Sequence, residues 1–400
     1  MNSLPEEILK EIMVRLPMKS ILRFKVVCKA WHALIKSPYF SDQHLNHQHQ
    51  YLDNKNNHNM IYITEYGCLR EDGKENLASN HDVLIIRQGS KKSNVLCTCR
   101  RLTYYDKKSR QLCGGSCNGI LCFFDRDGLI WLCNPITHEY FEIPITNNTR
   151  IEGEGVNRTV ELGFGFDSIT KDYKVIRILR SGTGIYKLST NCWSRVEHKN
   201  GDIDFEHVRS INGVGSGVFF HGFLHWLVET RNIIDPADPN RRILSFDLHS
   251  EEFGWLDIPD RDLHSEEFGW LNIPDGENQC VDTLAILADS LAFVSRANRA
   301  SFEVWVMREY GNGESWTKKF VLHTQMGGWR QLTCWNDDEL LLLHDDSGDL
   351  ISYRHLLQNR FTMEPIVTTQ IHHPNLVEPY DRTRAVIFQP SLVSIRRKTN

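Results

Sequence analysis

The chain has 400 residues, of which 40% are hydrophobic and 10% aromatic, so it can bury a sizeable core and is not a disordered protein. Its formal net charge of −5 provides no overall field for binding nucleic acid or an anionic membrane surface. No stretch approaches the roughly 20 apolar residues of a membrane span, and the N-terminus lacks the basic and apolar regions of a secretory signal. We therefore expect neither nucleic acid nor membrane as a partner.

The eleven cysteines are an odd number and are scattered along the chain. This usage predicts reduced thiols and a location in the cytoplasm, the nucleus or both. Cys97, Cys99, Cys113 and Cys117 are the best candidates for metal ligands, since four thiolates can hold zinc. Their spacings of one and three intervening residues differ from those of the usual zinc sites. We predict neither a metal nor another cofactor.

Two apolar patterns with helical spacing occupy the first forty residues. Pro17 ends the first pattern and Pro38 ends the second. Forty residues is about the lower limit for a self-sufficient core, and short helices cannot hide so many large apolar side chains among themselves. The surplus predicts a partner surface. The apolar positions are Ile8, Leu9, Ile12, Met13, Leu16, Ile21, Leu22, Phe24, Val26, Val27, Trp31, Leu34 and Ile35.

The second helical pattern is also strongly basic. From Lys19 to Lys36 it contains five basic residues and no acid, which favours an acidic partner. The pattern alone leaves open that the helices pack on the C-terminal part of the chain, or that the lysines form a solvated face.

Residues 1–42 resemble an F-box at nearly every position. The similarity lies in residues 4–8 (LPEEI), 15–17 (RLP), 19–24 (KSILRF) and 27–31 (VCKAW). The resemblance implies a helical module that binds a Skp-family adaptor and, through it, a cullin–RING ubiquitin ligase. It further implies that the docking surface is formed or supported by Leu4, Pro5, Ile8, Ile12, Leu16, Pro17, Leu22, Val27, Cys28 and Trp31.

Residues 43–60 are poor in apolar groups and rich in His, Asn and Gln, which predicts a polar linker or a surface loop. Histidine-rich tracts sometimes bind metal, but no cysteine or carboxylate partners lie at ligand spacing nearby. At the other end of the chain, residues 396–400 form a short basic tail.

Helical periodicity almost disappears between residues 61 and 395. Short apolar runs bounded by Gly, Asn, Asp and Pro predict strands there, and residues 119–124 and 129–132 flank an Asp-Gly turn typical of a hairpin. Further strands are predicted at residues 173–178, 222–227, 243–247, 304–307 and 340–343.

A weak repeat connects these strands. One strand carries an apolar or aromatic core position, and a second strand some ten to fifteen residues later ends on Trp or Ile-Pro, at intervals of roughly fifty residues. That period predicts a β-propeller of six to eight blades, which we favour over a large non-repetitive β-sandwich. The instances run from Trp131 to Pro144, Tyr186 to Trp193, Phe246 to Pro259 and Trp305 to Trp316.

The same region resembles the plant F-box-associated domain, which is kelch-like. The similarity lies in residues 116–122 (SCNGILC), 132–137 (LCNPIT), 162–167 (LGFGFD) and 172–177 (DYKVIR). Residues 304–316 are most similar to the S-locus F-box group. The resemblance implies a substrate-recognition subunit that presents a target protein for ubiquitination and proteasomal degradation, and the S-locus similarity implies a secreted-type, self-incompatibility ribonuclease as that target.

The β region contains a tandem copy. Residues 247–260 recur as residues 262–275 with a single change, Asp257 to Asn272, at a period of 15 residues. A strand cannot be added inside a closed sheet without displacing another, so we expect one copy in a blade and the other in a loop or on an outer edge. The alternatives are a tolerated surface insertion and a target-facing loop anchored by Phe268 and Trp270.

Catalytic motifs are missing from the sequence. Residues 213–217 are glycine-rich but do not form a nucleophile elbow, and residues 345–356 start like a calcium loop but lack its glycine and terminal glutamate. We therefore predict a non-catalytic receptor. The alternative is a propeller enzyme or carbohydrate-binding protein with an incidental helical N-terminus.

Overall fold

The structure is a computed structural model of the chain. It divides into two compact units, residues 1–145 with 372–400 and residues 146–371, each described by itself below. The described residues are 5–53, 59–69, 75–87, 94–100, 112–124, 129–144, 159–180, 182–197, 203, 205, 207–210, 217–230, 240–260, 282–287, 289–298, 301–323, 329–336, 339–344, 350–356, 360–367 and 384–395.

Four helices begin the first unit: α1 (Glu6–Val14), α2 (Met18–Phe24), α3 (Lys29–Ile35) and α4 (Pro38–Asp53). Pro17 and Pro38 fall at helix boundaries, as predicted, because a proline cannot donate a backbone hydrogen bond inside a helix. The second apolar pattern is nevertheless two helices rather than one, since α2 ends at Phe24 and α3 begins at Lys29. Pro17 is the N-cap of α2 and Pro38 is the first residue of α4. The helices bury a core of Met13, Ile21, Ile35 and Phe40.

Helix α4 corrects the prediction of a linker at residues 43–60, because its helical structure continues to Asp53. Only a narrow face of α4 is apolar, which is why its composition resembled a loop. Phe40, His44 and Leu45 are buried on that face, and the rings of Phe40 and His44 stack at 6.1 Å. The His44 Nε2 atom lies 3.1 Å from the carbonyl oxygen of Leu16, between α1 and α2.

Strands dominate the rest of the described chain, as the sequence predicted, with a 3-10 turn at Gly313–Ser315. They are β1 (Asn59–Leu69), β2 (Glu75–Arg87), β3 (Asn94–Arg100), β4 (Leu112–Cys117), β5 (Ile120–Phe124), β6 (Ile130–Asn134), β7 (Glu139–Ile143), β8 (Thr159–Asp167), β9 (Asp172–Leu179), β10 (Gly182–Lys187), β11 (Cys192–Val196), β12 (Val208–Ser210), β13 (Val218–Phe220), β14 (Phe223–Thr230), β15 (Asn240–Asp247), β16 (Glu252–Asp257), β17 (Thr283–Leu287), β18 (Ser290–Asn298), β19 (Ser301–Met307), β20 (Trp316–His323), β21 (Trp329–Asn336), β22 (Glu339–His344), β23 (Leu350–Leu356), β24 (Arg360–Val367) and β25 (Arg384–Phe388).

Two four-stranded antiparallel sheets lie in the first unit. One has the order β25-β1-β2-β3, so the last strand of the described chain pairs with the first, from Asn59 opposite Phe388 to Ile63 opposite Arg384. The other is the meander β4-β5-β6-β7. It contains the predicted hairpin of residues 119–132 as the β5–β6 pair.

The second unit contains four more antiparallel sheets. Their orders are β8 to β11, β12-β14-β15-β16 with β13 also on β14, β17 to β20, and β21 to β24. The weak repeat read from the sequence is confirmed, since its four instances correspond to the last two strands of four different sheets. These pairs are β6–β7, β10–β11, β15–β16 and β19–β20.

Three of the hairpins in these sheets, β6–β7, β8–β9 and β15–β16, share one kind of turn. Asn134, Asp167 and Asp247 each end a strand, and a side-chain oxygen of each accepts a hydrogen bond from the backbone N–H two residues later, at 2.8–2.9 Å. The turn then passes through a residue with positive φ, such as Lys171 (55°) or Glu251 (60°), before the next strand begins. A short polar side chain that closes such a turn favours the chain reversal.

The sheets of the second unit pack face to face through aromatic residues. Trp226 is fully buried in one core cluster with Ile176, Ile185 and Phe246. Its indole N–H donates to the Leu162 carbonyl oxygen at 3.1 Å, which satisfies the one polar atom of a side chain buried between neighbouring sheets.

Candidate functional site

The helices leave a set of large apolar side chains exposed, although they possess a core of their own. Ile8 and Ile12 lie one turn apart on the same face of α1 and are 48% and 46% exposed. Val26 and Val27, between α2 and α3, are 87% and 59% exposed. Exposed groups of this size and number are typical of a surface that binds another protein.

The structure divides the predicted docking residues into two groups. An outer group is exposed and comprises Pro5, Ile8, Ile12, Pro17, Val27 and Cys28. An inner group packs against the helical core and comprises Leu16, Leu22 and Trp31. Leu4 lies outside the described residues. The exposed side chains can contact a partner directly, whereas the inner three support the helices that present them.

Trp31 belongs to the supporting group because of its packing. Its ring lies 5.2 Å from that of Phe24, centroid to centroid, at an angle of 60°. Its backbone N–H donates to the Sγ atom of Cys28 at 3.4 Å, so the cysteine caps α3. These contacts connect α2 with α3 and fix the turn that carries Val27.

The basic residues predicted to attract an acidic partner lie on the surface. Lys19, Arg23, Lys29 and Lys36 are exposed, and Lys25 is half-buried. Burial lowers the pKa of Lys25, and Lys36 adds to this effect while Glu139 opposes it. The charges of α1 largely balance, because Lys10 pairs with Glu6 and Glu7, and Arg15 pairs with Glu11. The net positive charge therefore lies on α2 and α3.

Sequence reasoning missed the contribution of residues 389–395, which we call the C-terminal clamp. Leu392 is only 4% exposed and packs in the helical core beside Met13, Ile21 and Phe40. The hydroxyl of Ser41 in α4 donates to the Leu392 carbonyl oxygen at 3.2 Å. The interpretation that the helices pack on the C-terminal part of the chain is thus correct for their buried face.

The clamp is also bonded to the sheet β4–β7. The Nδ2 atom of the fully buried Asn134 donates to the carbonyl oxygens of Ser391 (3.2 Å) and Val393 (2.7 Å). The Glu139 carboxylate accepts from the Ser394 hydroxyl (3.0 Å) and from the Ile395 N–H (2.8 Å). Within the first unit, the clamp therefore connects the helical core to a sheet.

Gly119 allows the clamp to approach this sheet closely. A Cβ atom at this position would lie 2.5 Å from the Ser391 Oγ atom and 2.7 Å from the Gln389 carbonyl oxygen. Its φ of +76° is a second reason for glycine, because other residues rarely adopt that conformation. The Ser391 hydroxyl donates to the carbonyl oxygen of the preceding residue, Asn118.

Comparison with known families accounts for both regions. Residues 1–43 match the F-box domain, and residues 74–395 match the F-box associated beta propeller domain. The chain belongs to the plant F-box proteins with an F-box-associated domain. Its antiparallel sheets are therefore those of a β-propeller, as predicted, and the non-repetitive sandwich is excluded.

Relatives of this F-box protein extend over most of both chains. An F-box/kelch-repeat protein of Arabidopsis thaliana is 26% identical over 369 residues, covering 88% of this chain and 88% of the relative. An F-box protein of the same plant is 26% identical over 356 residues, covering 82% and 74%. Among solved structures, a chain of the nidogen/laminin complex covers 83% of this chain at 11% identity, but its TM-score of 0.43 is too low to support an argument.

The β-propeller of this F-box protein contains the first tandem copy as the turn after β15 and the strand β16. That agrees with the prediction that one copy forms a blade strand. The second copy, with the predicted target-binding residues Phe268 and Trp270, lies outside the described residues, as do the side chains of Cys97, Cys99 and Cys113. Among the residues that are described, no cluster of His, Cys, Asp or Glu could hold a metal ion, and no helix could cross a membrane.

Proposed function

We propose that this chain is the substrate-recognition subunit of an SCF-type (Skp–cullin–F-box) ubiquitin ligase. The helices bind a Skp-family adaptor, which joins them to the cullin–RING ligase, and the β-propeller holds the target protein. Other subunits transfer ubiquitin, so the chain itself is a non-catalytic receptor that acts in the cytoplasm, the nucleus or both. The family assignment supports this role, and the exposed apolar and basic surface of α1 to α3 is the observation that carries it.

The chemistry of that surface suits an acidic, partly apolar partner. Burying the exposed parts of Ile8, Ile12 and Val27 favours association at about 25 cal/mol per Å² of apolar area. The exposed cations of α2 and α3 raise the rate of encounter with an acidic adaptor. Exposed charges at the rim of an interface act mainly on the association rate, and salt weakens this effect by screening them.

The position of the clamp, on the buried face of the helices, also supports this proposal. It fills their buried face with Leu392, so that the face bearing Ile8 and Ile12 is the one left for the adaptor. It also fixes the helices against the sheet β4–β7 through Asn134 and Glu139. A receptor needs such a connection, because ubiquitin transfer requires a target held at a defined distance from the ligase.

Capture of the full chain by an immobilised Skp-family adaptor tests the proposal. We expect the double change Ile8→Asp with Ile12→Asp to weaken adaptor binding by roughly a hundredfold or more, since it places two charges in an apolar contact. Ile169→Asp is the matched control, because Ile169 is 67% exposed in the β8–β9 turn and belongs to the second unit rather than to the helices.

Adaptor binding that survives the double change, or that falls equally with the Ile169 control, would refute the proposed docking surface. Trp31→Ala is a weaker test of docking, because it also removes the packing on Phe24. The circular dichroism of each variant shows whether its helices remain folded. A retained helical spectrum with lost binding separates docking from folding.

The similarity of residues 304–316 to the S-locus group supports a narrower proposal for the target. We propose a self-incompatibility ribonuclease, of the secreted type and present in the cytosol, as the protein that the β-propeller binds. Co-precipitation of the full chain with such ribonucleases, and their ubiquitination in a reconstituted ligase, tests it. If neither is observed for any such ribonuclease while the adaptor binds, the chain serves another target as a general F-box paralogue.

A further inference from the structure

A cluster of aromatic rings lies where two sheets of the second unit meet at their hairpin turns. We call it the aromatic platform: Phe220, His221 and Phe223 from the β13–β14 turn, His225 from β14, and Tyr310 from the β19–β20 connection. The Tyr310 ring lies 5.3 Å from Phe223, 5.9 Å from Phe220 and 5.6 Å from His225, centroid to centroid. Tyr310 is nevertheless 40% exposed, so one face of the cluster is open to solvent.

Hydrogen bonds hold the platform in one conformation. The His225 Nδ1 atom faces the Val218 carbonyl oxygen at 3.2 Å, and because a carbonyl only accepts, that nitrogen must carry the hydrogen. The Nε2 atom is then the acceptor for the Tyr310 hydroxyl at 2.7 Å. Burial lowers the pKa of His225 to about 4, which keeps it neutral and able to accept near pH 7.

The turn below the rings is equally constrained. His221 and Gly222 have positive φ values of 48° and 87°, and the His221 ring stacks on Phe220 at 3.9 Å. A rigid aromatic surface loses little conformational entropy when a partner binds, which is the property of a good interface anchor. A tyrosine that served packing alone would be covered by its neighbours. The hydrogen bond from Tyr310 to His225 instead fixes a side chain that is 40% exposed.

Acidic residues lie beside the platform, either in contact with it or close to it along the chain. Asp289 is 82% exposed and lies 3.0 Å from His221, and Glu309 and Glu314 are exposed on either side of Tyr310 in the chain. Burial raises the pKa of Tyr310, and the nearby carboxylate of Asp247 adds to the effect. Arg308 is the basic residue of the same connection, and its Nε–H donates to the Thr317 hydroxyl oxygen at 2.7 Å.

These observations define the chemistry of a ligand. An aromatic face with a surplus of carboxylates around it attracts a cation, and Arg or Lys stacks favourably over an electron-rich ring. We propose that the aromatic platform is a target-contacting surface of the β-propeller, and that it takes an arginine-bearing segment of the target protein. The proposal rests on the proposed function, in which the β-propeller holds a target.

Short fluorescein-labelled peptides that combine arginine with leucine test the platform, each against a counterpart with glutamine in place of arginine. Fluorescence anisotropy measures their binding to the full chain. We expect the arginine peptides to bind more tightly than the glutamine peptides. We also expect the double change Asp289→Lys with Glu309→Lys to weaken that binding about tenfold or more, through lost attraction and added repulsion.

Two further variants make the test specific. Tyr310→Ala removes the stacking ring and is expected to weaken arginine-peptide binding about tenfold. Glu142→Lys reverses an exposed charge on β7 in the first unit. We expect it to change arginine-peptide binding only by the small amount that follows from the altered net charge of the chain. Equal binding of the arginine and glutamine peptides, or equal losses in Glu142→Lys and the platform variants, would overturn the proposal.

Adaptor capture, measured on the same proteins, keeps the two proposals distinguishable. The platform variants change no residue of α1 to α4, so we expect each to bind the adaptor like the unaltered chain. Lost peptide discrimination with intact adaptor binding overturns only the platform. Adaptor binding that fails in the unaltered chain overturns the proposed function, whatever the peptides do.

Discussion

Asn134→Asp is the most informative single change in the first unit, because it alters two hydrogen bonds of the clamp and leaves the turn intact. The Oδ1 atom of Asn134 accepts from the N–H groups of Ile136 (2.9 Å) and Thr137 (3.3 Å). Its Nδ2 atom donates to the carbonyl oxygens of Ser391 and Val393. Aspartate can replace the acceptor but not the donor.

The size of the effect follows from burial. Asn134 is fully buried, so the two carbonyl oxygens of the clamp lose their donor without access to water, at about 1–3 kcal/mol each. A carboxylate facing those oxygens adds repulsion, and a protonated carboxyl donates one bond where the amide donates two. Losing both donors would cost about 2–6 kcal/mol, but a buried carboxyl that takes up a proton keeps one of the two bonds, so we expect the clamp to lose about 2–4 kcal/mol of local stability.

Hydrogen–deuterium exchange measures this loss locally. A destabilisation of that size accelerates exchange in residues 384–395 by roughly thirtyfold to several-hundredfold, if exchange occurs by local opening. Asp247→Asn is the control, because Asp247 closes the same kind of turn through His249 and Ser250 without holding a clamp. Unchanged exchange in Asn134→Asp, or equal acceleration in both variants, would refute this account of the clamp.

Two predictions concern the second unit. Lys174→Met leaves the buried carboxylate of Asp167 without its cation, 3.1 Å away, and we expect a loss of about 3–5 kcal/mol in the free energy of unfolding, measured by denaturant titration. The low pKa of His225, about 4 against about 6.5 unfolded, means that its contribution is complete above pH 6.5 and is lost as the pH falls to 4. This contribution falls by about 2 kcal/mol between pH 7 and pH 5, and His225→Gln should remove that part of the pH dependence; an unchanged slope would contradict it.

Local signals in the sequence were sufficient for most of the fold. Pro17 and Pro38 mark helix boundaries because their effect depends only on the backbone around them. The hairpins were predictable for the same reason, since Asn134, Asp167 and Asp247 each close their turn within three residues. Helix α4 was missed because its apolar face is narrow and is buried through contacts with other helices and with the clamp.

The exposure of each docking residue could not be predicted in this way. Ile12 and Met13 are adjacent and equally apolar, yet Ile12 is 46% exposed and Met13 is 1% exposed. The difference arises because Met13 faces the helical core, where Ile21, Phe40 and the distant Leu392 cover it, whereas Ile12 does not. Leu392 is 351 positions from its hydrogen-bond partner Ser41. Periodicity identifies an apolar face, but it cannot show which part of that face a distant segment covers.

The clamp also connects docking with completion of the fold. Without Leu392 the helical core lacks one of its buried side chains, and Met13 and Phe40 lose a neighbour. We infer that the helices reach full stability only when residues 389–395 are seated on the sheet β4–β7. A chain with an incompletely folded first unit then presents a weakened surface to the proposed adaptor. Faster exchange in α1 to α4 of Asn134→Asp, in parallel with the clamp, is the result that this coupling requires; unchanged exchange in the helices would exclude it.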